Sequence, residues 1–86
     1  MRYYVYLIVT KTKNKHISYV GYTKNLKKRV NLHNTGKGAK FTKGKKWKLI
    51  YSQSYKSKIK AMQEEYKLKK NYKLRKIIKN KYLLNA

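Results

Sequence analysis

The segment Tyr3-Tyr4-Val5-Tyr6-Leu7-Ile8-Val9-Thr10 is an unbroken run of aromatic, aliphatic and β-branched residues. Strand side chains alternate between two faces, so a run without polar alternation suits a strand covered on both faces. Such a strand is expected at the centre of its sheet. Its apolar part, seven residues from Tyr3 to Val9, is far short of the ~20 needed to span a bilayer. No small-residue cleavage site follows it, so it reads as a strand of a soluble protein.

Lys11 to Asn14 forms a polar turn, and Lys15-His16-Ile17-Ser18-Tyr19-Val20-Gly21-Tyr22-Thr23 returns as a second strand, making the opening a β-hairpin. Pairing Thr10 with Lys15 sets Tyr6 opposite Tyr19, and cross-strand partners share a face. That register brings two phenol hydroxyls side by side, whereas a slip of one residue separates them. Asn25 can cap a helix from Leu26 through His33 that ends near Asn34 and Gly36. Leu26, Arg29, Val30 and His33 fall on one stripe of it, so two polar residues share the inward face. Residues 35–46 carry three glycines and no apolar period, and read as a basic loop. Trp47 to Tyr55 reads as a third strand. Ser57 then caps a helix from Ile59 to about Lys70, and Tyr72 to Leu84 forms a last basic helix. The expected order is strand, strand, helix, strand, helix, helix.

No linker, repeat or change of composition divides the 86 residues, so residues 1–86 are expected to form one domain with a thin core. The chain is 41% hydrophobic, with ten Tyr and one Trp, which is enough for a packed core despite the charge. It has no cysteine, which removes disulfides, thiolate metal sites and cysteine nucleophiles together. A reducing, cytoplasmic interior is the compatible location.

Lys and Arg total 25 against two acidic residues, a net charge of +23. A surface of this kind condenses onto a polyanion by releasing its counterions. AT-rich coding favours Lys, Asn, Ile and Tyr and explains part of the excess, but not the near-absence of Asp and Glu. Nucleic acid is therefore the expected partner. An anionic membrane ranks well below it, because no helix sets a Trp/Phe/Leu face against a basic one.

The two carboxylates are Glu64 and Glu65, so acidic chemistry has one address. Two-metal catalysis is excluded, since such sites need several carboxylates. Neighbours on a helix point about 100° apart, so the two do not converge on a substrate as a glycosidase pair does. Ala61, Leu68, Met62, Tyr66 and Ile59 form a broad apolar arc that contains Glu65 and leaves Glu64 outside. Glu64, with Lys60 and Lys67 at helical spacing, is expected to be a solvated ion pair, and Glu65 is the one facing inward and open to a metal. Arg29 alone would be a snorkelling side chain and His33 alone a hydrogen-bonded core histidine. Side by side before a Gly/Lys loop, they look like a phosphate clamp and a proton carrier. Tyr6 and Tyr19 could be ordinary strand aromatics. A phenol ionises near pH ~10, so either serves as a base only beside a metal or a cation.

Tyr4-Val5-Tyr6 followed by Tyr19-Val20-Gly21 resembles the paired motifs of the GIY-YIG nuclease superfamily, with Tyr4 where the motif has Gly. The match is made specific by Gly21-Tyr22-Thr23, Leu26, Arg29, His33-Asn34, Gly36-Lys37-Gly38-Ala39-Lys40-Phe41-Thr42, Leu49-Ile50-Tyr51, and Ala61 and Glu65 before Leu68-Lys69-Lys70. Val for Ile in the first motif looks like the short stand-alone bacterial members. The resemblance spans roughly Arg2 to Lys70. It implies an α+β fold, a three-stranded antiparallel sheet flanked by helices, and metal-dependent hydrolysis of DNA. By position, Glu65 would ligate one Mg²⁺ or Mn²⁺, and Arg29 would hold the scissile phosphate. Tyr6, Tyr19 and His33 would surround the attacking water, the base among them being open. Family members cut flaps, branches, repair intermediates or specific sites, usually with targeting from another domain or a protein partner. Neither Asn71 nor Asn80 sits in a motif that fixes the family's further helical Asn.

The expected nuclease is structure-selective rather than sequence-selective, because a basic loop bearing Lys37, Lys40, Lys43, Lys45 and Lys46 contacts phosphates, which carry no sequence. A non-catalytic module binding DNA or structured RNA on the same fold is the alternative. A basic structural or ribosome-associated protein would need no cluster of Tyr6, Tyr19, Arg29, His33 and Glu65.

Overall fold

A computed structural model describes residues 2–84, so Met1, Asn85 and Ala86 of the expected domain lie outside the described residues. Three strands and three helices follow in the expected order: β1 (Tyr3–Thr12), β2 (Lys15–Thr23), α1 (Leu26–Asn34), β3 (Lys48–Tyr55), α2 (Lys58–Lys70) and α3 (Tyr72–Leu84). The sheet is antiparallel with order β2-β1-β3. The apolar run is thus the central strand, and Val5 through Thr10 are all buried.

Alternation along β1 divides the interior into two layers. Val5 and Leu7 pack with Val20, Ala61 and Leu68 beneath α2 and α3. Tyr6 and Ile8 point the other way and pack with Trp47, Ile17, Tyr19, Leu26 and Val30, beneath α1 and the loop that follows it. Between Leu7 and Ile8 the β1–β3 register shifts past Ile50, a β-bulge. Ile50 and Tyr51 therefore both pack on the Val5–Leu7 layer, which a strand of period two does not allow.

The hairpin differs from the expected pairing. Thr12 pairs with Lys15, which sets Tyr6 opposite Gly21 and Tyr19 opposite Ile8. The turn is only Lys13-Asn14, with Lys13 at a φ of 53°, so β1 runs two residues further than the polar sequence suggests. A slip of two keeps the face, and Tyr6 and Tyr19 remain on one side as diagonal neighbours.

α1 begins at Asn25, whose side chain accepts a hydrogen bond from the Lys28 N–H at 3.1 Å. It closes on Gly36, at a φ of 80°. The Lys37 N–H reaches back to the Leu32 carbonyl at 2.8 Å and the Gly36 N–H to the His33 carbonyl at 3.3 Å. This is a Schellman closure, which needs a residue that tolerates the left-handed region. At nine residues, α1 is too short to be stable without its caps and its packing. Asn25→Ala should therefore cost about 1 kcal/mol, read as a lowered urea midpoint with an unchanged denaturant slope.

Candidate active site

The central feature of the α1 face is a buried chain of hydrogen bonds. Arg29 Nε–H donates to Tyr6 Oη at 3.3 Å, and Tyr6 Oη lies 2.8 Å from His33 Nε2. His33 Nδ1 lies 2.8 Å from Thr42 Oγ1, which donates to the Ala39 carbonyl at 3.0 Å. A hydroxyl has one proton to give. With that proton on the Ala39 carbonyl, His33 carries its own on Nδ1 and presents Nε2 as an acceptor to the Tyr6 hydroxyl. For a neutral imidazole this assignment alone makes every one of these contacts a hydrogen bond, and it is assigned from the network.

Each part of the chain has a local cause. Tyr6 lies across Gly21 on β2, where an added Cβ would collide with the phenol oxygen and sit 2.6 Å from Cζ. His33 is in the last turn of α1, and Gly38 presses against it so closely that a Cβ there would meet the imidazole. The basic loop is pinned rather than loose. Asn34 Nδ2–H donates to the Trp47 carbonyl at 3.1 Å, its Oδ1 accepts from the Trp47 N–H, and the Trp47 indole N–H donates to the Thr42 carbonyl at 2.9 Å.

Burial sets the protonation states. His33 is 0% exposed, and burial first, then the neighbouring Arg29 charge, lowers its pKa from the ordinary value. Burial raises the Tyr6 pKa; the Arg29 hydrogen bond and charge oppose that rise, while Tyr19 and Glu65 add to it. At neutral pH the pair is thus a phenol donating to a neutral imidazole.

The structure gathers Tyr6, Arg29 and His33 into one chain. Tyr19 packs its ring 5.1 Å from the His33 ring, and Thr42, which sequence reasoning did not single out, completes the chain. Thr42 is a polar residue in a loop without periodicity, and its only signal was its place in the motif after Phe41. Lys37, Lys40, Lys43 and Lys46 are exposed, whereas Lys45 is half-buried and donates to the Phe41 carbonyl at 3.4 Å. Asn71 caps α3, accepting from the Leu74 N–H at 3.0 Å.

The reading of α2 needs correction. Its sheet-facing stripe is Ala61, Glu64, Glu65 and Leu68, with Glu64 24% and Glu65 19% exposed in their side chains. Ile59, Met62 and Tyr66 face solvent, at 69%, 46% and 57% exposure. Apolar count along the helix chose the wrong centre for the inward arc, because close approach to the sheet is set by the small Ala61 rather than by the largest side chains. Glu64 is therefore not outside that face. Its pairing is as expected, at 3.4 Å from Lys60 and 3.1 Å from Lys67, and the hydrogen bond from Lys67 holds its carboxyl below the ordinary range.

Glu65 comes from the opposite layer, and its charge is felt at the Tyr6 hydroxyl. Among the described residues its ion-pair partner is Lys69, at a loose 3.8 Å. No group of three or more His, Cys, Asp or Glu forms among the described residues, so an all-protein metal cage is absent. Mg²⁺ is commonly held by one or two carboxylates with the remaining positions taken by waters and substrate phosphates. The half-buried, loosely paired Glu65 fits that donor set.

A central tyrosine strand, a helix carrying Arg and His against it, and two half-buried glutamates on the sheet-facing stripe of the next helix are the features of a GIY-YIG domain. The family model for the GIY-YIG catalytic domain matches residues 2–82, and the chain belongs to that family. It is 41% identical to the UPF0213 protein OB0043 of Oceanobacillus iheyensis over 69 residues, 79% of this chain and 77% of that one. It is 53% identical to the UPF0213 protein YazA of Bacillus subtilis over 53 residues, 60% of this chain and 54% of that one. The solution NMR structure of the UPF0213 protein BH0048 from Bacillus halodurans covers 94% of this chain and 86% of its own, at 33% identity and a TM-score of 0.49. No described helix is long and apolar enough to cross a membrane.

The depressed His33 pKa has a measurable consequence. As pH falls, the unfolded state takes up a proton near pH ~6.5 before the folded state does. The stability due to neutral His33 is thus complete above ~6.5 and is lost as pH falls from there toward the folded value, at no more than about 1.4 kcal/mol per pH unit. Urea titrations between about pH 5 and 8 should show this slope, and His33→Gln should flatten it.

Proposed function

We infer that this protein is a metal-dependent endonuclease that hydrolyses phosphodiester bonds in DNA, chooses substrates by shape rather than sequence, and serves repair or recombination. The observation that carries this reading is the buried chain Arg29–Tyr6–His33–Thr42 on a protein of net charge +23. A phenol donating to a neutral, buried imidazole while receiving a guanidinium N–H is more than a core needs and is suited to moving a proton beside a phosphate.

Arg29 spends Nε on Tyr6, which leaves its two Nη groups to clamp a phosphate and couples the position of that phosphate to the Tyr6 hydroxyl. Water attacks phosphorus as one of its protons moves to Tyr6 Oη and the Tyr6 proton moves to His33 Nε2. The bond to the leaving oxygen breaks, and that oxygen takes a proton from solvent. Thr42 keeps the imidazole in the accepting tautomer, and the depressed pKa of His33 favours release of the proton afterwards. Tyr19 walls the site on the side of the basic loop, where Lys37, Lys40, Lys43 and Lys46 meet neighbouring phosphates. Glu65 would hold one Mg²⁺ or Mn²⁺, which when bound stabilises charge on the phosphate and the leaving oxygen.

The alternative, a non-catalytic DNA- or RNA-binding module, needs only the exposed lysines and makes Glu65 dispensable. The two readings separate in cleavage of labelled flap, branched and plain duplex DNA with Mg²⁺ or Mn²⁺ at moderate salt. Glu65→Ala should lower the rate by roughly 100-fold or more, while Glu64→Ala, which loses only its lysine pairs, should keep most of it. Intact binding with no cut by the wild type on any substrate would leave the binding module in its place.

A further inference from the structure

Phe41 is 53% exposed although it lies in the most tightly pinned part of the basic loop. Its neighbour Thr42 is 0% exposed and belongs to the His33 chain, and Trp47, which holds the Thr42 carbonyl, is 3% exposed. The exposure of Phe41 is therefore fixed by its backbone rather than being the accident of a loose loop. One side of its ring is backed by protein: it is stacked on Tyr19 at 6.1 Å and 21° and tilted to Trp47 at 6.1 Å and 44°. Tyr19 in turn packs on His33. An unbroken aromatic line thus runs from the candidate proton acceptor out to solvent and ends in a half-exposed ring.

The surroundings of that ring select its partner. Lys40 and Lys43 flank it in sequence and are exposed, and Lys45 sets its Nζ over the ring, 5.8 Å from the centroid, a flexible cation that an incoming base displaces toward its own phosphate. A second copy of this +23 chain or a basic peptide is repelled from such a place, whereas a polyanion is drawn to it. Among polyanions, nucleic acid is the one that also carries flat aromatic faces. Within a continuous duplex those faces are stacked on each other and closed to protein. A flap base, a junction base or a flipped nucleotide leaves one open.

We propose that Phe41, backed by Tyr19, is a stacking platform for one unpaired nucleobase next to the reacting phosphate, and that it gives the protein its preference for DNA with a splayed or single-stranded nucleotide over plain duplex. This rests on the nuclease reading in that it sets the base beside Tyr6 and His33, but stacking itself does not require turnover. Phe41 is a specificity-determining residue, separate from the groups that move the proton or hold the phosphate.

The test uses 2-aminopurine as the unpaired nucleotide at the junction of a flap DNA, with plain duplex of the same length as reference, at physiological ionic strength and without added metal. Wild type, Phe41→Trp and Phe41→Leu are compared, Leu keeping apolar bulk while removing the flat ring. Wild type and Phe41→Trp should bind flap more tightly than duplex and stack on the 2-aminopurine, changing its fluorescence. Phe41→Leu should lose that fluorescence change, and its flap-to-duplex affinity ratio should fall roughly tenfold, the scale of one base–aromatic stack. Equal binding of flap and duplex by the wild type, or a Phe41→Leu protein that retains both the ratio and the fluorescence change, overturns the proposal. Wild type that stacks on the flap base but cuts no DNA with Mg²⁺ or Mn²⁺ overturns the nuclease reading and leaves the platform standing.

Discussion

Burial of β1 on both faces is the constraint on which the rest of the structure depends. A central strand with helices on one side and a helix plus loop on the other must send successive side chains into different layers. Val5 and Leu7 go to the layer under α2 and α3, and Tyr6 and Ile8 to the layer under α1. Both layers draw their order from the same seven or so residues, so the candidate site is an extension of the core rather than a feature added to its surface. It follows that the polar groups brought in on the α1 side have to satisfy one another. Arg29, Tyr6, His33 and Thr42 do so in a single file, and no buried side-chain nitrogen or oxygen among the described residues is left without a partner. Polar groups buried without partners would cost more than the packing returns.

Charge shapes the molecule in a second way. With two acidic side chains for 25 basic residues, self-repulsion is spread over nearly the whole surface, and the ion pairs among the described residues, Lys60–Glu64, Lys67–Glu64 and Lys69–Glu65, all lie within α2. Exposed pairs at helical spacing contribute little to stability. Cohesion therefore comes from the two apolar layers and from capping and closure devices: Asn25 and Gly36 at the ends of α1, Ser57 and Asn71 at the starts of α2 and α3, and the Asn34–Trp47 clamp. A bound polyanion would relieve the same repulsion that weakens the free protein, so charge that costs stability is a driving force for such binding.

Much of this was legible in the sequence. The continuous apolar run named the central strand, Asn25 and Ser57 named the starts of α1 and α2, and the shared stripe of Arg29 and His33 announced a polar cluster on an inward face, whereas the Asn71 cap of α3 was visible only in the structure. The two-residue hairpin turn was hidden, because Lys11 and Thr12 are as polar as a loop and yet continue the strand; pairing geometry decides that, not composition. Thr42 was hidden because a loop has no period to read. The inward face of α2 was misjudged because amphipathicity counts apolar residues, whereas the helix settles where a small residue, Ala61, lets it approach the sheet.

The sequence by itself determined the order of elements, the central strand, the parity that keeps Tyr6 and Tyr19 on one face, and the scarcity of carboxylates that confines both of them to α2. These follow from local periodicity and from composition, which any stretch of chain carries with it. Only the tertiary structure decided that Gly21 and Gly38 make room for the Tyr6 and His33 rings, that Thr42 fixes the imidazole tautomer, and that Glu65 approaches from the opposite layer. Each of these depends on how separate elements and a non-periodic loop pack together, a condition absent from any local pattern.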